Sequence, residues 1–197
     1  MACAVAAFGA TSCAEKTNDI KVISYNVRFS GGDGENHWDL RKHASINMIN
    51  DEKPTVFGVQ EAKADQIAYL KENLPQYGYI GVGREDGKDG GEHMSIFYLK
   101  DQVELLDGGT FWLSDKPNEA GSEGWGASMP RTATWGLFEH LPTGKQFFYI
   151  NTHLDHEGKM ARLFGAMQLM QFMSSKREPS ILTGDFNAGP DSPAIKI

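Results

Sequence analysis

Cysteine is almost missing from this chain: its two copies, Cys3 and Cys13, both fall at the extreme N-terminus. That excludes a disulfide within the folded part, a cysteine-built zinc site and a thiol nucleophile. Basic charge is scarce as well. Lys plus Arg number 19 against 26 acids, a formal net charge of −7, which argues against a nonspecific nucleic-acid binder and its basic footprint. The same balance leaves room for a site where a bound cation supplies the positive charge locally. No repeat, low-complexity tract or interdomain linker interrupts the 197 residues, a length that suits one domain with a substantial core.

What is present begins with "MACAVAAFGATSCAEK", small and apolar up to Cys13 and then abruptly polar. It resembles the end of a bacterial lipoprotein signal, with Ala10-Thr11-Ser12 before an acylated Cys13, although no Lys or Arg precedes the apolar run. Residues 1–19 are therefore expected to be a leader or tail outside the fold. The chain is expected to be exported, as a cell-envelope lipoprotein anchored at Cys13 or as a periplasmic or secreted protein. The segment is too short to span a bilayer.

From Ile20 the pattern alternates β and α. "DIKVISYNVRF" puts Ile20, Val22, Ser24 and Asn26 on one side of a strand. Residues 39–52 read as a helix that Pro54 stops, with Leu40, Ala44, Met48 and Ile49 as its apolar positions. "TVFGVQE" is a second buried strand ending in Glu61, and "ADQIAYLKENL" a second helix. Then "YGYIGVGRE", "EHMSIFYLK", "VELLDGGTFWL", "TATWGLFEH" and "KQFFYINTHLDH" form β-branched or aromatic runs between turn signals, a largely antiparallel region. A helix over 157–175 carries Met160, Leu163, Phe164, Met167 and Met170 on one face, read as core filling. Strand 180–184 follows. In "SILTGDFNAGPDSP" an acid and an amide two apart, Asp185 and Asn187, project together from the strand's exit.

Asn26, Glu61, His153, Asp185 and Asn187 thus all sit at strand exits, where neighbouring strands bring their ends together. "SYNVR", "VQEA", "NTHLDH" and "LTGDFN", in this order, resemble the motifs of the endonuclease/exonuclease/phosphatase superfamily. Its members include deoxyribonucleases, apurinic endonucleases, deadenylases, neutral sphingomyelinases and inositol-polyphosphate phosphatases. The resemblance implies an α/β four-layer sandwich over 20–197, with two mainly antiparallel sheets face to face and helices outside. It implies divalent-metal hydrolysis of a phosphodiester or phosphomonoester at one rim. "FWLSDKP", "GW" and "PRTATW" resemble an often exported bacterial branch.

By that resemblance Glu61 is the principal metal ligand with Asn26 beside it, Asp185 activates the attacking water, and Asn187 holds the scissile phosphate. His153 bonds the phosphate or protonates the leaving oxygen, with Glu92 as its orienting acid. Glu61 and Asn26 offer hard oxygens, which suit Mg²⁺ or Mn²⁺ over zinc. Arg131 either clamps a phosphate oxygen or forms a surface salt bridge. A zinc pair of His153 and His156 is rejected, because an offset of three on a strand points to opposite faces. Gly31–Gly34 and Asp89–Gly91 lack phosphate-loop spacing and read as rim loops. Among the tryptophans, Trp125 is the best candidate for a substrate contact.

The closing Asp-His pair of the family pattern has no match here, and Ser192-Pro193 opens a helix with barely a turn of chain after it. The domain is accordingly expected to be incomplete at its C-terminus and, as it stands, weak or inactive. The substrate class spans small molecules, lipid headgroups and nucleic acid, with no stable protein partner implied. The rival reading is a noncatalytic binding or surface protein on the same fold.

Overall fold

The computed structural model describes residues 18–31 and 34–197. The expected leader with its Cys13 anchor, and Gly32 and Asp33 of the first glycine loop, lie outside the described residues. Strands β1 (Val22–Asn26), β2 (Val56–Gln60), β3 (Tyr77–Ile80) and β4 (Ile96–Leu99) form one sheet in the order β1-β2-β4-β3. A second sheet runs β5-β6-β7-β8, from β5 (Val103–Trp112), β6 (Thr132–His140), β7 (Lys145–His153) and β8 (Ser180–Asp185). Both sheets are mixed. The pairs β1–β2 and β7–β8 are parallel and the rest antiparallel. Each parallel pair is joined by a helix, α1 (Trp38–Glu52) or α3 (Lys159–Ser174), as a crossover requires, and α2 (Ala64–Asn73) follows β2.

Three packed cores make the four layers. Val56, Ile96, Val103, Phe138, Phe147 and Tyr149 fill the space between the sheets. Phe57, Val59 and Phe97 turn outward to Ile49, Ile67 and Leu70 of α1 and α2. Phe148 and Ile150 turn outward to Ala166 and Leu169 of α3. Strands β2 and β7 are thus buried on both faces, which is why their sequences are almost continuously apolar. α1 ends as expected: Lys53 is left-handed, its N–H reaches Ile49 O, and Pro54 follows. Leu40, expected on the buried face of α1, is exposed, and Trp38 and Ser45 are buried with Ile49.

The methionine face of α3 is a correction. Met160, Met167 and Met170 are 51%, 47% and 40% exposed, while Ala161, Gly165, Ala166 and Leu169 are buried. Both rows obey the helical period, so spacing alone cannot choose between them. The choice is steric: Gly165 lies against Leu113 and Leu154, an approach that a long side chain would prevent.

The layer between the sheets changes character toward one rim. Asn151 enters the first sheet, accepting from Gln60 Nε2 at 2.7 Å and donating to the carbonyls of Val59 at 2.8 Å and Ser95 at 3.2 Å. Gly58 makes the room, since a Cβ there would overlap the Asn151 amide. Gly58→Ala is therefore expected to lower the unfolding free energy by roughly 2–4 kcal/mol, from overpacking plus broken buried hydrogen bonds. Urea titration checks it, and a loss within error of zero would contradict it.

Candidate active site

The inward rows of β1, β7 and β8 continue past their apolar members to Asn26, His153 and Asp185. All three end at the polar rim. Asn26 Nδ2 lies 2.7 Å from Glu61 Oε1 and 3.0 Å from Asp185 Oδ2. Its Oδ1 accepts from the Arg28 N–H at 2.8 Å. A main-chain N–H can only donate, so the amide nitrogen is the end facing the two acids. Asn26 thus stands beside Glu61 as a bridge between carboxylates, with its oxygen, the atom a metal would need, turned to the Arg28 N–H.

Strand alternation would send Glu61 outward with Phe57 and Val59. A left-handed backbone at Glu61, φ 62°, turns it back into the rim, where the Phe29 N–H reaches Oε2 at 3.2 Å. Arg28 (φ 52°) and Asn187 (φ 46°) are left-handed too, so three of the five such non-glycine positions among the described residues border the site. Strain of this kind is held only where the surroundings over-determine it. At Asn187 it brings the N–H onto Asp185 Oδ1 at 3.0 Å. Burial pushes the Asp185 carboxyl upward, but the Asn187 N–H and the Asn26 amide outweigh it and hold the group below its ordinary range.

His153 is buried. Asn187 Nδ2 donates to Leu154 O at 2.9 Å and meets His153 Nε2 at 2.9 Å. Leu154 O can only accept, which makes that atom the amide nitrogen and makes Nε2 an acceptor. The ring is then neutral with its proton on Nδ1, which has no hydrogen-bond partner among the described residues. Glu92 Oε2 lies 4.0 Å from Nδ1, facing it without bonding, while Arg84 Nη1 holds the same oxygen at 2.7 Å. Burial, and then the nearby Arg131, lower the His153 pKa to about 4, against the opposing pull of Asp185 and Glu61.

Arg131 is no surface pair. It is 4% exposed, with Nε 3.2 Å from Asp155 Oδ2 and Nη2 2.8 Å from His156 Nδ1. Burial would raise the Asp155 pKa, yet hydrogen bonds from Gly158, Ser128 and Glu157 hold it well below the carboxylate range. A cavity of about 310 Å³ is lined by Glu61, Glu92, Arg131, His153, His156 and Asn187 together with Phe29 and Met129. A neighbouring cleft contains Asn26 and Asp185, and Asn187 borders both. All seven expected site residues are thus drawn to one rim.

Arg84, Asp155 and His156 were not legible as site residues. β7 ends at His153, so the alternation rule does not extend to His156, which returns to the same cavity. There its Nδ1 is taken by Arg131, and the cluster with ligand atoms close enough to hold an ion, among the described residues, is Glu61, His153 and Asp185, without His156. Trp125 is a second correction: it packs on Phe164 at 5.6 Å between ring centres and does not line the cavity. Trp112 is buried, donating from Nε1 to Arg84 O at 2.6 Å.

A comparison with curated proteins finds no significant match. Solved structures match closely. One, an endonuclease/exonuclease/phosphatase from Bacteroides vulgatus, is 38% identical with a TM-score of 0.89, over 91% of this chain and 70% of that one. An endonuclease/exonuclease/phosphatase family protein from Bacteroides thetaiotaomicron is 40% identical, TM-score 0.86, over 90% of this chain and 66% of that one. A mannosyl-6-phosphatase from Bacteroides thetaiotaomicron is 39% identical, TM-score 0.86, over 90% and 69%. The chain thus spans about two thirds of the length of these relatives. The model of the Endonuclease/Exonuclease/phosphatase family matches residues 23–196, and with this sandwich and this rim the chain belongs to that family.

Proposed function

We propose that the chain is a Mg²⁺-dependent phosphoesterase, with Mn²⁺ as the alternative ion. Membership in the family supports phosphoester hydrolysis as the reaction class. One observation carries the metal reading. Glu61 and Asp185 are drawn together by a neutral amide, and among the described residues no Lys or Arg pairs with either. Ligand atoms of Glu61, His153 and Asp185 lie within 4.8 Å of one another. Two hard carboxylates without a countercharge fit a hard divalent cation. Glu61 would hold it, with Asn26 fixing the Glu61 carboxylate. When bound, the ion polarises a phosphoryl oxygen and offsets charge developing there.

The protein's own residues do the rest. Asp185, kept ionised and held by the Asn187 N–H, takes a proton from the attacking water as its oxygen bonds to phosphorus. The ester P–O bond breaks, and an alcohol departs from inorganic phosphate or a phosphomonoester. Arg131 holds one phosphoryl oxygen, and the Asn187 amide holds another once His153 Nε2 is protonated and gives up the N–H it now accepts. His153 takes a proton from solvent on Nε2 and hands it to the departing oxygen. An anionic ester in the cavity counters the burial and the Arg131 field that lower the histidine, and Glu92 steadies the imidazolium.

The acidic surface and the small cavity support a small phosphoester, and the similar mannosyl-6-phosphatase puts sugar phosphates first among candidates. Hydrolysis of a panel of sugar phosphates, inositol phosphates, sphingomyelin, RNA and DNA, measured on this chain and on a version extended at its C-terminus, should rise with added Mg²⁺ and vanish with chelator. Binding without turnover, indifferent to metal, would return the noncatalytic reading.

A further inference from the structure

Arg131 is gripped in an unusual way. A buried arginine paired with a carboxylate commonly lays two nitrogens on its two oxygens. Asp155 has no room for that. Its Oδ1 accepts from the N–H groups of Glu157 at 3.0 Å and Gly158 at 2.7 Å. Its Oδ2 accepts from the Ser128 N–H at 3.0 Å and Oγ at 2.9 Å, leaving Arg131 a single contact through Nε. The second contact falls to His156. A guanidinium only donates, so His156 Nδ1 accepts, and the imidazole is neutral with its proton on Nε2. Nε2 lies 3.5 Å from Glu157 Oε1. That leaves Nη1, buried and without a partner among the described residues.

We propose that Asp155 and His156 are positioning residues. Together they occupy two nitrogens of Arg131 and present the third to a phosphoryl oxygen in the cavity that Arg131 shares with Glu61, His153 and Asn187. The inference rests on the phosphoesterase reading and extends it to two residues outside the reacting set. A buried cationic donor without a partner is unfavourable, and a guanidinium does not shed its proton, so the free N–H pair is set for an anion. Asp155 anchors the assembly. The same carboxylate ties the segment at Ser128 to the entrance of α3, and its main-chain carbonyl receives Arg162 Nη1 at 2.8 Å.

The test uses inorganic phosphate as the probe, titrated calorimetrically into the whole chain, beside steady-state hydrolysis of a phosphomonoester with Mg²⁺. His156 is half exposed, so its variants are expected to fold. Loss of a hydrogen bond to a charged group predicts that His156→Ala weakens phosphate binding and kcat/KM about tenfold or more. His156→Asn, which keeps an accepting oxygen near the place of Nδ1, should recover to within about threefold of wild type. In an Arg131→Met background, His156→Ala should have no further effect, as a double-mutant cycle requires of coupled residues. Equal losses in His156→Ala and His156→Asn, an undiminished effect in the Arg131→Met background, or no phosphate binding by wild type would each overturn the proposal. If wild type binds phosphate with this variant pattern but hydrolyses nothing, either as it stands or when extended at its C-terminus, the positioning role stands and the phosphoesterase reading falls. Hydrolysis with a flat His156 series gives the reverse.

Discussion

Asp185→Asn is expected to lower kcat by about 10³-fold or more, in the upper range for loss of a positioned general base. The replacement is isosteric, so the chain direction at the end of β8 and the left-handed turn at Asn187 persist. The new side chain can still accept the Asn187 N–H that now reaches Oδ1 at 3.0 Å. It cannot take a proton from water. Its amide nitrogen would also meet Asn26 Nδ2, donor against donor, where the carboxylate oxygen now accepts at 3.0 Å. The melting temperature should hold or rise, because one of two adjacent acids is gone. The pH dependence follows from the lowered carboxyl of Asp185. A depressed pKa keeps the wild-type base ionised as pH falls through the weakly acidic range, so activity lost there should arise from other groups. Steady-state kinetics and thermal melts decide the matter: turnover within tenfold of wild type would remove Asp185 from the mechanism.

Glu61→Gln is expected to abolish the response to Mg²⁺ and to reduce turnover by about 10²-fold or more. Asn26 Nδ2 can still donate to the new side-chain oxygen, but the amide nitrogen can no longer accept from the Phe29 N–H that now reaches Oε2 at 3.2 Å. One negative charge of the cation site disappears while the left-handed backbone at residue 61 remains. A ligand that binds only the folded state raises the melting temperature according to its affinity. Wild type should therefore show a Mg²⁺-dependent rise in melting temperature that Glu61→Gln lacks. Without metal the variant should melt at the same temperature or higher. Together with Asp185→Asn, this is the pattern of a site that accepts electrostatic strain in exchange for function. An undiminished Mg²⁺ shift in Glu61→Gln would move the ion elsewhere.

The strands and helices were legible because burial leaves a period. Val56 and Phe57, or Phe148 and Tyr149, are adjacent apolar residues that serve cores on opposite sides of one sheet, which makes the run unmistakable. Asn26, His153 and Asp185 were legible for a related reason: each ends an alternating strand row that faces the other sheet. The methionines of α3 misled because hydrophobicity marks a face without measuring the gap it must fill. Trp125 misled because an aromatic residue in a glycine-rich loop looks free, whereas Phe164 covers it. Asp155 and Arg84 were not singled out: Asp155 is one acid in the short connection from β7 to α3 and meets Arg131 just ahead of β6, and Arg84 is one base in the long connection from β3 to β4.

The chain's order of residues determined by itself the element list, the strand-exit chemistry and the family, since these depend on local periodicity and on short motifs. Only the tertiary structure decided which atoms of those residues meet. It turned Glu61 inward by a left-handed backbone, turned the Asn26 nitrogen toward two acids, and filled Asp155 so that Arg131 keeps one end bare. Each depends on donors and acceptors from segments far apart in sequence. No local pattern encodes a direction that is set by a partner on another strand.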